Sequence, residues 1–146
     1  MFRRKWMTGA AALLLGAGLA STMSALPALG QNSPPSAAVK LLPTGKIVAR
    51  GAVADISVRV FCPAGDSAGI SIQLNQNSGK TIVGGQGSGQ TTCTGQAKTV
   101  TVKVLADVGG RPFVAKTTYS QATLEVCTIS FTCNFSNAAR VVKLTK

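Results

Sequence analysis

Between Ala54 and Cys62 the chain reads ADISVRVFC, and every second residue, Ala54, Ile56, Val58, Val60 and Cys62, is apolar. A period of two lays these side chains on one face of a β-strand and puts Asp55, Ser57, Arg59 and Phe61 on the other. The alternation returns with Ile70, Ile72 and Leu74 against Ser71, Gln73 and Asn75, and with Val100, Val102 and Val104 against Thr101 and Lys103. It returns again within residues 117–127, where Ala122, Leu124 and Val126 alternate with Thr123 and Glu125. Residues 46–50 (KIVAR) supply a first strand, residues 140–145 a last one, and residues 81–84 a short edge strand. Turn-forming sequences fall between them: Pro63-Ala64-Gly65-Asp66, Asn77-Ser78-Gly79 and Gly109-Gly110-Arg111-Pro112. Six or seven short strands without a helical period predict an all-β domain. The leading architecture is an immunoglobulin-like antiparallel β-sandwich of about seven strands, and a small barrel is the alternative.

The N-terminus has different punctuation. Arg3, Arg4 and Lys5 precede an uncharged stretch centred on residues 10–20, and small residues surround Pro27. That is the pattern of a signal peptide, with cleavage expected after Gly30 or, next best, after Ala28. The apolar core of about ten residues is short for a span, which needs roughly twenty, so no transmembrane segment is expected after cleavage; an uncleaved anchor is the alternative. Export by either the general or the twin-arginine route fits. Residues 1–30 are read as signal peptide, residues 31–45 as a Ser/Pro/Ala-rich tether around Pro34-Pro35, and residues 46–146 as one β-sandwich domain. The expected location is secreted, extracellular or at the cell envelope.

Composition narrows the chemistry. The 146 residues contain no histidine and only four acids, Asp55, Asp66, Asp107 and Glu125. A serine or cysteine nucleophile would lack its usual base, and the paired carboxylates of glycoside hydrolysis would have to come from outward strand faces and turns. The chain is therefore read as non-enzymatic, with no catalytic residue, no cofactor and no metal. Ser78-Gly79-Lys80-Thr81 resembles the end of a phosphate loop, but Leu74 stands where the first glycine belongs, so a hairpin turn is expected. Gly84-Gly85-Gln86-Gly87-Ser88-Gly89 lacks dinucleotide-loop spacing and is read as a flexible connection. Without Arg3, Arg4 and Lys5, twelve basic residues remain against the four acids, a net charge of +8. Such a balance suits an anionic cell-envelope polymer, or it serves solubility, since the cations are spaced along the chain without a run. Few aromatics interleave with them, which argues against nucleic acid. A protein partner is the other expectation, and the protein itself is expected to be monomeric.

Export into an oxidising space makes the four cysteines two disulfides, for which the sequence alone allows three pairings. Parity favours Cys62 with Cys93, which would join strand ends across the core, and Cys127 with Cys133, which would staple a hairpin loop. Neither C-x-x-C redox spacing nor a zinc-ligand set is present. The stapled loop would gather Ile129 and Phe131 beside Phe135, apolar residues in an aromatic-poor chain. They form the candidate binding surface; the alternative is that the two phenylalanines cap the open end of the domain.

VFCPAG, ISIQLNQ, a glycine-rich turn, CTG, VTVKV and a later GRPF together resemble a family of small secreted domains of unknown function from actinobacteria. The similarity covers residues 47–126, with Cys62, Gln76, Cys93, Thr94 and Gly95 its most specific points. It implies an immunoglobulin-like fold and the Cys62–Cys93 pairing. Cys127, Cys133 and the following NFSNAA bear a fainter likeness to neocarzinostatin-family apoproteins, although those carriers are acidic. The functional expectation is thus a non-enzymatic secreted binding or structural domain. The alternative is a small-molecule carrier with an apolar cleft near the Cys127–Cys133 loop.

Overall fold

Burying one face of each alternating segment leaves seven strands wrapped around a common interior. A computed structural model describes residues 37–146; the expected signal peptide and residues 31–36 of the expected tether lie outside the described residues. The strands are β1 (Ala38–Val48), β2 (Val53–Phe61), β3 (Ser67–Ser78), β4 (Thr81–Thr92), β5 (Lys98–Ala106), β6 (Thr117–Cys127) and β7 (Cys133–Thr145). They close a barrel in the order β1-β2-β5-β4-β3-β6-β7. Every neighbouring pair is antiparallel except β1 with β7, which is parallel. The all-β class is as the alternation predicts, but a closed barrel stands where a two-sheet sandwich was expected.

Closure has two physical causes. In β1 the register with β2 jumps between Leu41 and Gly45, a bulge that contains Pro43, whose nitrogen has no hydrogen for a ladder. Beyond it Thr44, Gly45 and Lys46 pair with Lys143, Leu144 and Thr145 of β7. At the other seam, β4 pairs with β5 through Gly85–Ala106 and Gln86–Leu105. Glycine is required there: a Cβ on Gly85 would collide with the Leu105 carbonyl and lie 2.6 Å from Phe113 Cζ, and one on Gly87 would collide with the Lys103 carbonyl. The stretch read as a flexible connection is therefore the body of β4, with glycines where another backbone comes close.

Two further strands are longer than their alternation suggests. β1 begins at Ala38, so residues 38–45, expected as tether, belong to the sheet and contribute the buried Leu41. β7 begins at Cys133 rather than at residue 140, because the half-buried positions Ser136 and Ala138 are too small and polar to register as an apolar face.

The interior is filled by the predicted faces: Ile56, Val58 and Val60 of β2, Ile70, Ile72 and Leu74 of β3, Val102 and Val104 of β5, and Leu124 and Val126 of β6 are all buried. Each such side chain contributes roughly 1.5–3 kcal/mol of burial before chain entropy is subtracted. Phe113, from the β5–β6 connection, joins this core. The connection is clamped by the fully buried Gln76: its Nε2 donates to the Val114 carbonyl and its Oε1 accepts from the Val114 N–H, both at 2.9 Å. A buried amide satisfied on both sides fixes that loop without leaving an orphan polar group.

Both closing ladders lie at one end of the barrel, where β1, β3, β5 and β7 finish. We refer to it as the turn end. It carries the Gly79-Lys80 hairpin and a tight turn in which Ala49, Arg50 and Gly51 have φ of 49°, 56° and 92°. At the opposite end the seams are held by side-chain links: across β1–β7, Val39 N–H donates to Ser136 Oγ (3.3 Å), and an Arg140 guanidinium nitrogen donates to the Leu41 carbonyl (3.0 Å). Lys98 Nζ donates to the Thr92 carbonyl. Both disulfides, Cys62–Cys93 and Cys127–Cys133, sit at this second end, as parity of facing suggested.

Candidate functional site

The Cys127–Cys133 bond closes the β6–β7 hairpin with Cα atoms 4.1 Å apart. Inside it Thr128 N–H donates to the Thr132 carbonyl and Phe131 N–H to the Thr128 carbonyl, both at 3.0 Å, so the loop is a defined turn. Phe131 adopts φ 60°, a left-handed conformation uncommon for a bulky residue. All three apolar residues are displayed outward: Ile129 is 91 % exposed, Phe131 92 % and Phe135 62 %. The phenylalanines do not cap the barrel. Ile129 and Phe131 belong to the loop, whereas Phe135 stands on β7 opposite Glu125 of β6. The Glu125 carboxylate and the Cys127 and Cys133 sulfurs lie within 4.8 Å of one another. Since the sulfurs are joined in a disulfide, neither is a thiolate, and the group offers a cation one carboxylate.

Topology sorts the charges in a way that chain order conceals. Lys46, Arg50, Lys80, Arg111, Lys116, Lys143 and Lys146 are all exposed, and all belong to the turn end, where the nearby acids are Asp107 and Asp55, the latter opposite Lys46 across the β1–β2 ladder. Seven of the twelve described cations thus crowd one pole of the domain. Lys40, Arg59 and Lys98 lie toward the disulfide end with Asp66 and Glu125. The one ion pair among the described residues joins Lys103 to Asp55 at 3.3 Å across the β2–β5 ladder, nearer the turn end. The cations expected to be scattered are clustered because loops distant in sequence meet at the end of a barrel.

The outer faces are sorted as well. β1, β2 and β5 carry Lys40, Lys46, Asp55, Arg59, Lys98 and Lys103, whereas β3, β4 and β6 together carry Glu125 alone. Strand register aligns their outward residues in rows. Ser88, Ser71, Thr123 and Asn137 form one row across β4, β3, β6 and β7, and Gln86, Gln73, Gln121 and Ala139 form the next. Thr123 Oγ1 donates to Asn137 Oδ1 at 2.8 Å. A chain of open depressions follows the β3–β4 ladder. One of about 630 Å³ lies between Gly69, Gln90, Glu125 and Phe135, and shares Ser71 and Ser88 with another of about 530 Å³ reaching Lys103 and Leu105.

No protein-family model matches this chain, and no curated protein matches it. Its function rests on this geometry.

Sequence reasoning placed the two cysteine pairs and gathered Ile129 and Phe131 in the stapled loop, and left open whether the phenylalanines are displayed or cap the domain. It missed the basic pole and the cation-poor face. The run from Ser67 to Thr92 contains Lys80 as its one charge, and that absence was the available signal; only strand order places β6 and β7 beside it. Two disulfides are the mark of an oxidising, extracellular setting. No helix among the described residues is long and apolar enough to cross a membrane.

Proposed function

We propose that this protein is a non-enzymatic, exported binding domain that acts at the cell envelope or outside the cell and holds an anionic polymer at its basic pole. The observation that carries this reading is the convergence of seven exposed cations on the turn end. Like charges gathered at one end of a small domain repel one another, and a multivalent anion relieves that repulsion while adding its own attraction. The N-terminal leader and the two disulfides support export. The strand order supports the finer architectural reading: β1-β2-β5 and β4-β3-β6-β7 are the two layers of an immunoglobulin-like sandwich whose edges have been drawn together at one end.

The test is retention of the exported protein on an immobilised polyanion, polyphosphate or polyglutamate, under a salt gradient. Retention is expected at low ionic strength and release by about 0.5 M salt, where exposed charges are screened within a few ångströms. Lys80→Glu combined with Lys116→Glu and Lys143→Glu should abolish retention, while Arg59→Glu with Lys98→Glu should leave most of it. Equal loss from both sets would show that net charge, and not the pole, is responsible.

The second reading is a small-molecule carrier, and it is favoured by one observation, the depression rimmed by Phe135 beside the stapled hairpin. That depression is open and bordered mainly by serine, glutamine, threonine and glycine, which makes it a weaker basis than the basic pole.

A further inference from the structure

We infer that the cation-poor outer face formed by β4, β3, β6 and residues 133–139 of β7 is a binding site for a neutral polyhydroxylated chain, an oligosaccharide or a strand of neutral polysaccharide. This site is separate from the basic pole and does not depend on it.

Three observations carry the assignment. The first is charge. In a domain with twelve cations and four acids, β3, β4 and β6 present Glu125 and no cation. The trough along this face is lined by three acids, Asp66, Glu125 and Asp107, and by one cation, Lys103, which is already paired with Asp55, so a polyanion, nucleic acid included, would meet more repulsion than neutralisation here. A protein interface would need an apolar centre, whereas the middle of this face is Ser71, Ser88, Gln73 and Gln86.

The second is the chemistry of those four side chains. Amides and hydroxyls both donate and accept, as sugar hydroxyls do, so each can serve either role toward a saccharide. Among the described residues none of the four has a side-chain hydrogen-bond partner, which leaves their capacity turned to the exterior. Two aromatic rings flank them. Phe135 lies beside Glu125 and Tyr119, 45 % exposed, lies six residues back along β6, a separation of roughly 20 Å along the strand. Exposed rings at the two ends of a polar face give the apolar faces of pyranose rings somewhere to stack.

The third is shape. Four depressions adjoin in sequence along the β3–β4 ladder, each sharing residues with the next, from Asp66 at the disulfide end to Asp107 at the turn end. The trough is kept open by Gly69, an outward position where a Cβ would meet nothing within 4 Å. A long shallow trough on a rigid sheet fits an extended chain better than a compact molecule.

The experiment is calorimetric titration of the exported protein with soluble β-glucan, mannan, xylan and galactan, at about 0.1 M and about 0.5 M salt, so that exposed charge contributes little in the second series. One or more of these neutral polymers should bind with affinity unchanged by salt. Gln73→Ala with Gln86→Ala should weaken binding by roughly tenfold or more through loss of neutral hydrogen bonds. Gly69→Leu, which fills open space without backbone strain, should block it, and its thermal unfolding should match that of the unmodified protein. The Lys80→Glu, Lys116→Glu, Lys143→Glu variant should bind as the unmodified protein does, so this result and the polyanion result fail independently. The inference is overturned if none of the polymers binds, if binding disappears with salt, or if it survives both face variants. It is equally overturned if the face proves to be a self-association surface, seen as a dimer in sedimentation that Gly69→Leu dissociates.

Discussion

At the turn end of this barrel both seams are closed by backbone ladders, Thr44–Lys46 on β7 and Gly85–Gln86 on β5. At the other end no backbone ladder closes these seams. Two side-chain bonds join β1 to β7, the Lys98 bond joins β5 to the end of β4, and Cys62–Cys93, beside the hydrogen bond from Gly95 N–H to the Cys62 carbonyl, ties β2 to the end of β4. Backbone pairing needs two strands about 5 Å apart over several residues, and the bulge in β1 and the glycines of β4 provide that approach at one end only. Where the strands part, Cys62–Cys93 ties the end of β2 to the end of β4 instead. That covalent bond stands where the ladder is missing, whereas Cys127–Cys133 caps the end of the unbroken β6–β7 ladder. The end with the ladders is left to carry mutually repelling cations.

This contrast can be broken most forcefully at the disulfide end. Replacing Cys62 and Cys93 with alanine removes a link between residues 31 apart and should cost roughly 3.7 kcal/mol by loop entropy, read as a lowered urea midpoint. The same treatment of Cys127 and Cys133, 6 residues apart, should cost roughly 2.4 kcal/mol. The opposite order would mean that the β2–β4 link is not what holds the open seam. At the ladder end, Gly85→Ala drives a methyl group into the Leu105 carbonyl and Phe113 and should cost about 2 kcal/mol. In hydrogen exchange it should expose the Ala106 and Asp107 amides, bonded to the Ala52 and Gly84 carbonyls, before those at the disulfide end. The smallest effect is expected from Ser136→Ala, which leaves the Val39 N–H without its partner and should cost about 1 kcal/mol. A null result there would assign the β1–β7 seam at that end to Arg140 alone.

Legibility followed the strength of the side-chain pattern. β2, β3, β5 and β6 were readable because each turns at least two large apolar residues into the core at alternate positions, extended by Val100 in β5 and Ala122 in β6. β4 was not, since its inner positions Gly85, Gly87 and Gly89 are chosen to admit a neighbouring backbone, and a glycine has no hydropathy to alternate. The first half of β7 escaped for a related reason, with Ser136 and Ala138 facing inward. Residues 38–45 read as tether because Pro43 and Gly45 signal a break, when they mark a bulge within β1. The cysteine pairs and the apolar loop were legible because parity and short spacing are local properties. Whether Phe131 pointed in or out was not, because that turns on a left-handed φ at one residue.

The sequence by itself determined the class of the domain, the faces of its central strands, the oxidised cysteines and the absence of a histidine from any chemistry it performs. These follow from period, parity and composition, which need no knowledge of neighbours. The tertiary structure alone decided that the sheet closes on itself, that seven cations separated by up to a hundred residues share one pole, and that β3, β4, β6 and residues 133–139 of β7 assemble one face with few charges. The reason is that charge clusters and binding faces are built from residues on different strands, and strand order is set by which backbones can approach closely enough to hydrogen-bond.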